Sequence, residues 1–232
     1  MRTVPVLFFC SLIGVSVSAQ ITVTDNKNTL FNTALPIAGG LPVNNTRYVD
    51  LTSGSPFFQN EWARSKVVAK DMTVYADIST RIDLLENKVH YKDSSGKELI
   101  AGTPLREIVF PQFSDGKEVR FINGDILPVQ KKGFFQLLVN DSVSLLKGFV
   151  KSFESHTSYG SATEYSIKTV ENYFAYYNNK EYEIKKLSDF VEILPTQKAE
   201  IESYIKTVSK KLSRQEQFAT TAKFCSSLFR NR

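Results

Sequence analysis

Met72-Thr73-Val74-Tyr75-Ala76-Asp77-Ile78 is the stretch on which the fold turns. Met72, Val74, Ala76 and Ile78 alternate with Thr73, Tyr75 and Asp77, and a period of two marks a strand with one buried face. Outward from it, similar short runs recur at residues 82–85, 88–92, 98–101, 106–110, 118–122, 134–140, 142–153, 163–168 and 171–177. Turn chemistry separates them: Asp93-Ser94-Ser95-Gly96, Ser114-Asp115-Gly116, Asn123-Gly124-Asp125, Asn140-Asp141 and Asn178-Asn179. Gly and Asn supply positive φ there, while Asp and Ser make local side-chain turns. Strands joined by such short links are mostly antiparallel. No helical stretch long enough for a crossover lies among them, which argues against a βαβ architecture. The expectation is a mainly β (α+β) fold: a curved antiparallel β-meander of about 9–10 strands, half-barrel or sandwich-like, covered by short C-terminal α-helices.

The tail, residues 187–232, carries the helical signals. Ser188 is placed to cap a short helix before Pro195, and Thr196 to cap a second with the stripe Ile201, Tyr204, Ile205 and Val208. Ser213-Arg214-Gln215-Glu216 reads as a capping box opening a third. Its stripe is Phe218, Ala222, Cys225 and Phe229, in which Cys225 counts as a small apolar residue, buried and inert. Three such helices need an apolar face to cover, and the open side of the sheet offers one.

The chain of 232 residues is 42% hydrophobic and 23% charged, which is ordinary globular composition rather than disordered or collagenous. Residues 1–19 read as a secretory signal: Arg2, an apolar run over 4–17, and Val17-Ser18-Ala19 before Gln20. That apolar run is shorter than the ~20 residues a bilayer span needs. An exported protein is expected, soluble or peripheral, periplasmic or outer-membrane-associated or extracellular. Cys10 lies mid-run behind bulky Phe8 and Phe9, which argues against lipid attachment. Residues 20–60, rich in Asn and Thr, read as an extended lead-in with one short strand at 48–51, and residues 61–232 as a single domain.

The positive charge belongs to the tail. Residues 185–232 hold ten Lys and Arg against five Asp and Glu, whereas residues 20–184 are close to balanced. Lys206, Lys210, Lys211, Arg214 and Lys223 are therefore the candidate contacts to an anionic surface, at the short range that salt allows. The export signal argues against nucleic acid as the partner.

Residues able to carry chemistry are few. His90 and His156 are the only imidazoles, and neither has a second ligand at metal-binding spacing; both read as surface residues. The Gly54-Ser55 and Gly160-Ser161 pairs lie in loops, outside any strand–turn–helix nucleophile elbow. No phosphate loop or other cofactor motif occurs, so no catalytic, cofactor or metal residue is assigned. A carboxylate pair of the glycosidase kind stays open, because spatial pairing is invisible in sequence. Asp141-Ser142-Val143 matches a short bacterial O-glycosylation pattern at Ser142. Asn44-Asn45-Thr46 and Asn140-Asp141-Ser142 match the eukaryotic N-glycosylation sequon.

Gly54-Ser55-Pro56-Phe57-Phe58 with Trp62, then Gly133-Phe134-Phe135-Gln136-Leu137-Leu138, then Leu145-Leu146-Lys147 and the Phe190, Leu194-Pro195, Ile201, Tyr204-Ile205 tail form a recurrent ordering. This chain resembles a group of uncharacterised exported proteins of Bacteroidota-type bacteria, over about residues 54–228. The resemblance implies an envelope setting and supports the meander-plus-helices fold; it implies no activity and no functional residue. The reading is a non-enzymatic exported cell-envelope binding or accessory protein. Its rivals are a periplasmic carrier of a lipid or other apolar ligand between sheet and helices, and a carboxylate-dependent hydrolase. The partner is an envelope protein or lipid that the sequence does not specify, with peripheral membrane contact as one form of it. Oligomeric state is equally unspecified.

Overall fold

The computed structural model describes residues 40–43, 51–113, 116–157 and 163–230. The signal reading, Cys10, most of the lead-in and the Asn44 sequon lie outside them. The architecture is the expected one, mainly β with short C-terminal helices. The sheet begins with β1 (Leu41–Pro42), β2 (Leu51–Ser53), β3 (Ala63–Ala69), β4 (Val74–Asp83), β5 (Lys88–Lys92) and β6 (Glu98–Ile100). It continues with β7 (Leu105–Phe110), β8 (Val119–Asn123), β9 (Phe134–Val139), β10 (Ser144–His156), β11 (Glu164–Tyr177) and β12 (Lys180–Glu183). All belong to one sheet, ordered β1-β6-β5-β4-β3-β7-β8-β9-β10-β11-β12, with β2 pairing β11 in parallel and every other ladder antiparallel.

The strand count exceeds the expectation, and two adjacent runs at 163–168 and 171–177 are one continuous strand, β11. Residues 82–85 are not a separate strand; Ile82 and Asp83 finish β4. β3 and β12 have no run of their own in the sequence reading, because Arg64, Lys66, Lys180, Glu181 and Glu183 dilute their apolar signal.

Met72–Ile78 itself holds a correction. Met72 is an exposed turn residue at φ 69°, and Asp77 takes φ 56°. Ser65 pairs with Ile78 but Val67 with Tyr75, so Ala76 and Asp77 oppose the single residue Lys66. This bulge shifts the phase: Tyr75, Ile78 and Ile82 all join the inner core, whereas strict alternation would have sent Tyr75 outward.

The order departs from a plain meander at β1, which pairs β6, at β2, which pairs β11, and between β6 and β7. β6 runs into β7 through only four residues, 101–104, although β5, β4 and β3 stand between them in the ladder. Four ladder steps at ~4.8 Å place them roughly 19 Å apart in a flat sheet. Five extended residues reach at most about 18 Å, before any offset along the strands. The sheet must therefore roll up. Its two end strands, β1 and β12, do not pair, so it does not close.

The rolled interior is aromatic. Phe58 lies with ring centroids 4.7 Å from Phe121, 5.3 Å from Phe113 and 5.6 Å from Phe149. Phe110 packs edge-on against Phe113 and Phe121. Residues 54–58 bring Phe58 in. Gly54 sits at φ 78°, and a Cβ there would overlap the Ile167 carbonyl, so this crossing of β11 needs glycine. Phe58 N then donates to Ile82 O, Leu84 N donates to Pro56 O, and Lys151 Nζ donates to Ser55 O (2.7 Å) and Phe57 O (2.8 Å).

Farther along the same side of the sheet, α2 (Arg214–Arg230) packs over β9, β10 and β11, and α1 (Lys198–Thr207) packs against α2 and the segment Leu187–Glu192. Val139, Leu145, Tyr173 and Ala175 from the strands meet Phe190, Ile201, Phe218, Ala222 and Cys225 from the tail. Among the described residues no helix is long and apolar enough to cross a membrane.

The capping box of the third helix forms as expected: Ser213 N donates to Glu216 Oε2 at 2.9 Å and Glu216 N to Ser213 Oγ at 3.3 Å. The other two caps do not. Leu187–Glu192 is a 3₁₀ segment, and Asp189 rather than Ser188 accepts from the Lys185 and Lys186 backbone. Six residues ahead of a proline are too few for a stable run of α-helical bonds. Thr196 falls within the 3₁₀ turn Pro195–Gln197 and donates to Gln197 Oε1 instead of capping α1.

Burial pushes the Cys225 thiol up to about 12. Native protein should therefore label with a thiol reagent far more slowly than denatured protein; equal rates would contradict the packing. Removing residues 187–232 uncovers Val139, Leu145, Tyr173 and Ala175, so a fragment of residues 20–186 should aggregate. A soluble fragment with an unchanged thermal transition would mean that the helices are an appendage rather than part of the core.

Candidate functional site

Three side-chain constellations stand out, and the first corrects the surface reading of His90. β5 pairs Arg81 of β4 with His90, and β6 brings Glu98 alongside on the same outer face. His90 is only 4% exposed. Its Nδ1 lies 2.6 Å from Glu98 Oε1, and Arg81 Nη2 donates to the same oxygen at 2.6 Å. Phe57 and Trp62 cover them: the Arg81 guanidinium stands 3.8 Å over the Phe57 ring and 4.6 Å over Trp62. His90 reads as exposed in sequence because the residues that bury it come from the preceding loop. Burial pushes the Glu98 carboxyl up, but hydrogen bonds and charge from His90 and Arg81 outweigh it, leaving the pKa below its usual 4.5. The cluster is a structural clamp. Among the described residues no group of three His, Cys, Asp or Glu could hold a metal. His156, in contrast, is exposed at the end of β10.

The second lies where the inner face of the sheet meets the start of α2, in an open cleft of about 560 Å³. Lys147 is 9% exposed; its Nζ lies 2.5 Å from Glu171 Oε1 and donates to Gln215 Oε1 at 3.2 Å. Tyr173 donates to Glu171 Oε2 at 3.0 Å, and burial with the adjoining carboxylate pushes its hydroxyl up to about 12. Glu118, Glu171 and Glu216 all line this cleft, which makes it the natural place for a carboxylate pair. Each is already committed: Glu118 to Arg120, Glu171 to Lys147 and Tyr173, Glu216 to the cap. Glu216, held by the Ser213 hydroxyl and backbone, lies below the usual carboxylate range. A general acid needs the opposite shift.

Arg214 belongs to this cleft and is a strut. Its guanidinium lies 5.4 Å from the Tyr173 ring and 5.3 Å from Phe218, and it donates to Lys185 O at 2.8 Å. Lys206, Lys210, Lys211 and Lys223 are exposed, without ion-pair partners among the described residues. They do not form one face with Arg214. Arg214 and Lys223 are nine residues apart on α2, half a turn out of phase. Lys206 occupies the last turn of α1, where it complements the helix dipole.

The third is a cleft of about 390 Å³ on the outer face, opposite the helices. Ile122, Leu137, Leu146 and Tyr176 form its floor, and Leu127 and Pro128 wall one side. Arg106, Glu107 and Arg120 edge it on the β7–β8 side. Asn140, Ser142, Ser144, Asn178 and Asn179 edge the other. Ser142 is exposed on this rim, in the β9–β10 turn. The sequence reading missed the cleft because its members come from five strands, two turns and the 3₁₀ segment after β8. Its legible signals are the two Asn turns and Ser142, read there as turn chemistry and as glycosylation patterns.

Above the ordinary carboxylate pKa of 4.5 Glu98 is charged and clamped, and that stability is lost as pH falls through its lower folded value. The melting temperature should therefore fall on the acid side of that pH, and Glu98→Gln should flatten the fall; an unchanged acid limb would contradict the clamp. Comparison with protein-family models, curated proteins and solved structures finds no match for this chain.

Proposed function

We propose that the chain is a non-enzymatic exported binding or accessory protein of the cell envelope, acting through the surface of its sheet rather than an enclosed pocket. One observation carries this reading: the inner face is spent on packing. Phe58, Phe110, Phe121 and Phe149 occupy the rolled end, and Tyr173, Phe190, Phe218 and Cys225 occupy the layer under the helices. A lipid carrier needs that layer open, as an apolar cavity of ~300–1,000 Å³. A hydrolase needs a carboxyl held ready to give up or take a proton, and the cleft carboxylates here are bound in ion pairs and a helix cap. The inner cleft beside α2 is likewise lined by side chains committed to ion pairs and a cap, so recognition falls to the outer face, with its hydrogen-bonding rims.

Titration with a fluorescent fatty acid separates this reading from the carrier. Background partitioning alone is expected. Saturable uptake of one equivalent, lost on Phe218→Trp, would establish the carrier instead. Fractionation of expressing cells should find the processed chain with the envelope, and retention of the full chain in the cytoplasm would remove the export premise.

A further inference from the structure

In the outer cleft, two guanidinium groups on the same rim have opposite commitments. Arg120 is held by Glu107 at 3.3 Å and Glu118 at 3.0 Å. Arg106, next to the irregularity where β7 meets β3, has no ion-pair or hydrogen-bond partner among the described residues. We propose that this cleft binds an acidic sugar, a hexuronate unit of a glycan, with its carboxylate on Arg106 and its hydroxyls on the opposite rim. The proposal rests on the binding-protein reading above and specifies its ligand.

The chemistry of the two rims selects this class. A guanidinium matches a carboxylate in its planar, two-toothed geometry. The far rim is neutral: side-chain amides of Asn140, Asn178 and Asn179 and hydroxyls of Ser142 and Ser144. Amides and hydroxyls both donate and accept, as the vicinal hydroxyls of a sugar do. Between the rims, Leu137, Leu146 and Tyr176 give a floor for the C–H face of a pyranose. The size suits one or two rings. A phosphate group is a poorer fit, because Glu107 stands beside the single uncommitted cation.

A peptide carboxylate could also meet Arg106, but the sheet argues against it. The strands under the cleft, β7 to β10, are paired on both sides, as is β11 where it borders the cleft. No strand edge there offers the main-chain hydrogen bonds by which extended peptides are held.

The test is titration of the ¹⁵N-labelled protein with digalacturonate, digalactose and an N-acetylated dipeptide acid. Digalacturonate should shift the Asn140, Asn178 and Asn179 amides saturably, and digalactose should bind at least ~10-fold more weakly, the loss of a charge-assisted contact. Arg106→Gln should weaken digalacturonate by a similar factor with the melting temperature unchanged, and Arg106→Lys should restore part of it. Should Arg106→Gln fold poorly, Asn140→Ala on the opposite rim serves instead, with an expected loss of several-fold. The proposal is overturned by any of three results: no saturation by ~10 mM digalacturonate, affinity indifferent to Arg106→Gln, or tighter binding of the dipeptide acid. Failure here with no fatty-acid uptake removes the sugar but keeps the binding-protein reading, whereas stoichiometric fatty-acid uptake removes both.

Discussion

Rolling a sheet this tightly creates an interior that must be filled, and Phe58 fills it. The ring comes from outside the strands, carried in by the crossing that begins at Gly54, and it touches aromatic rings from the β7–β8 loop, β8 and β10. Burying one such side chain contributes ~1.5–3 kcal/mol, and each good aromatic pair adds ~0.5–1.5 kcal/mol beyond the area. An exposed ion pair such as Lys168–Glu154 contributes at most ~1 kcal/mol. The aromatic cluster, not the abundant surface charge, therefore decides whether the sheet holds its curvature. The polar bonds around it have another role: Lys151 fixes the Ser55 and Phe57 carbonyls, which sets Phe58 inward and Phe57 outward onto Arg81.

The same economy of space divides the molecule by face. Curvature makes the inner face too small to serve both stability and ligand binding, so aromatic rings take one end and the helical tail takes the other. Where charges are buried they are matched: on the outer face Glu98 between Arg81 and His90, and under the helices Lys147 against Glu171. Breaking such pairs is costly, though forming them adds little net stability, so their main effect is to fix register between strands. The outer face carries no such load in its cleft. There Arg106 stays uncommitted and the rims are built from turns, whose residues face few packing demands.

How much of this is legible before folding depends on range. The strand at Lys88–Lys92 is readable to the residue because its signal lies within five positions, and the Ser213 capping box because its partners are three apart. Cys225 reads as buried because helical periodicity places it in line with Phe218 and Ala222. The Ala76–Asp77 bulge is not readable, since its only cause is the register with Lys66 on another strand. His90 fails for the same reason: its own neighbours suggest water, and the ring that packs on it comes from residue 57.

By itself, then, the sequence determined most element types, the antiparallel pairing of most neighbouring strands and the burial of the last helix, because each follows from local period, turn chemistry or capping. Only the tertiary structure decided the jump from β6 to β7, the roll of the sheet, the aromatic filling and the pairing of every buried charge. It also decided the outer cleft, where Arg106 faces Asn140 and Asn178 across strands that lie far apart in the chain. Those features arise from contacts between distant residues, and no local pattern encodes which distant residue will arrive.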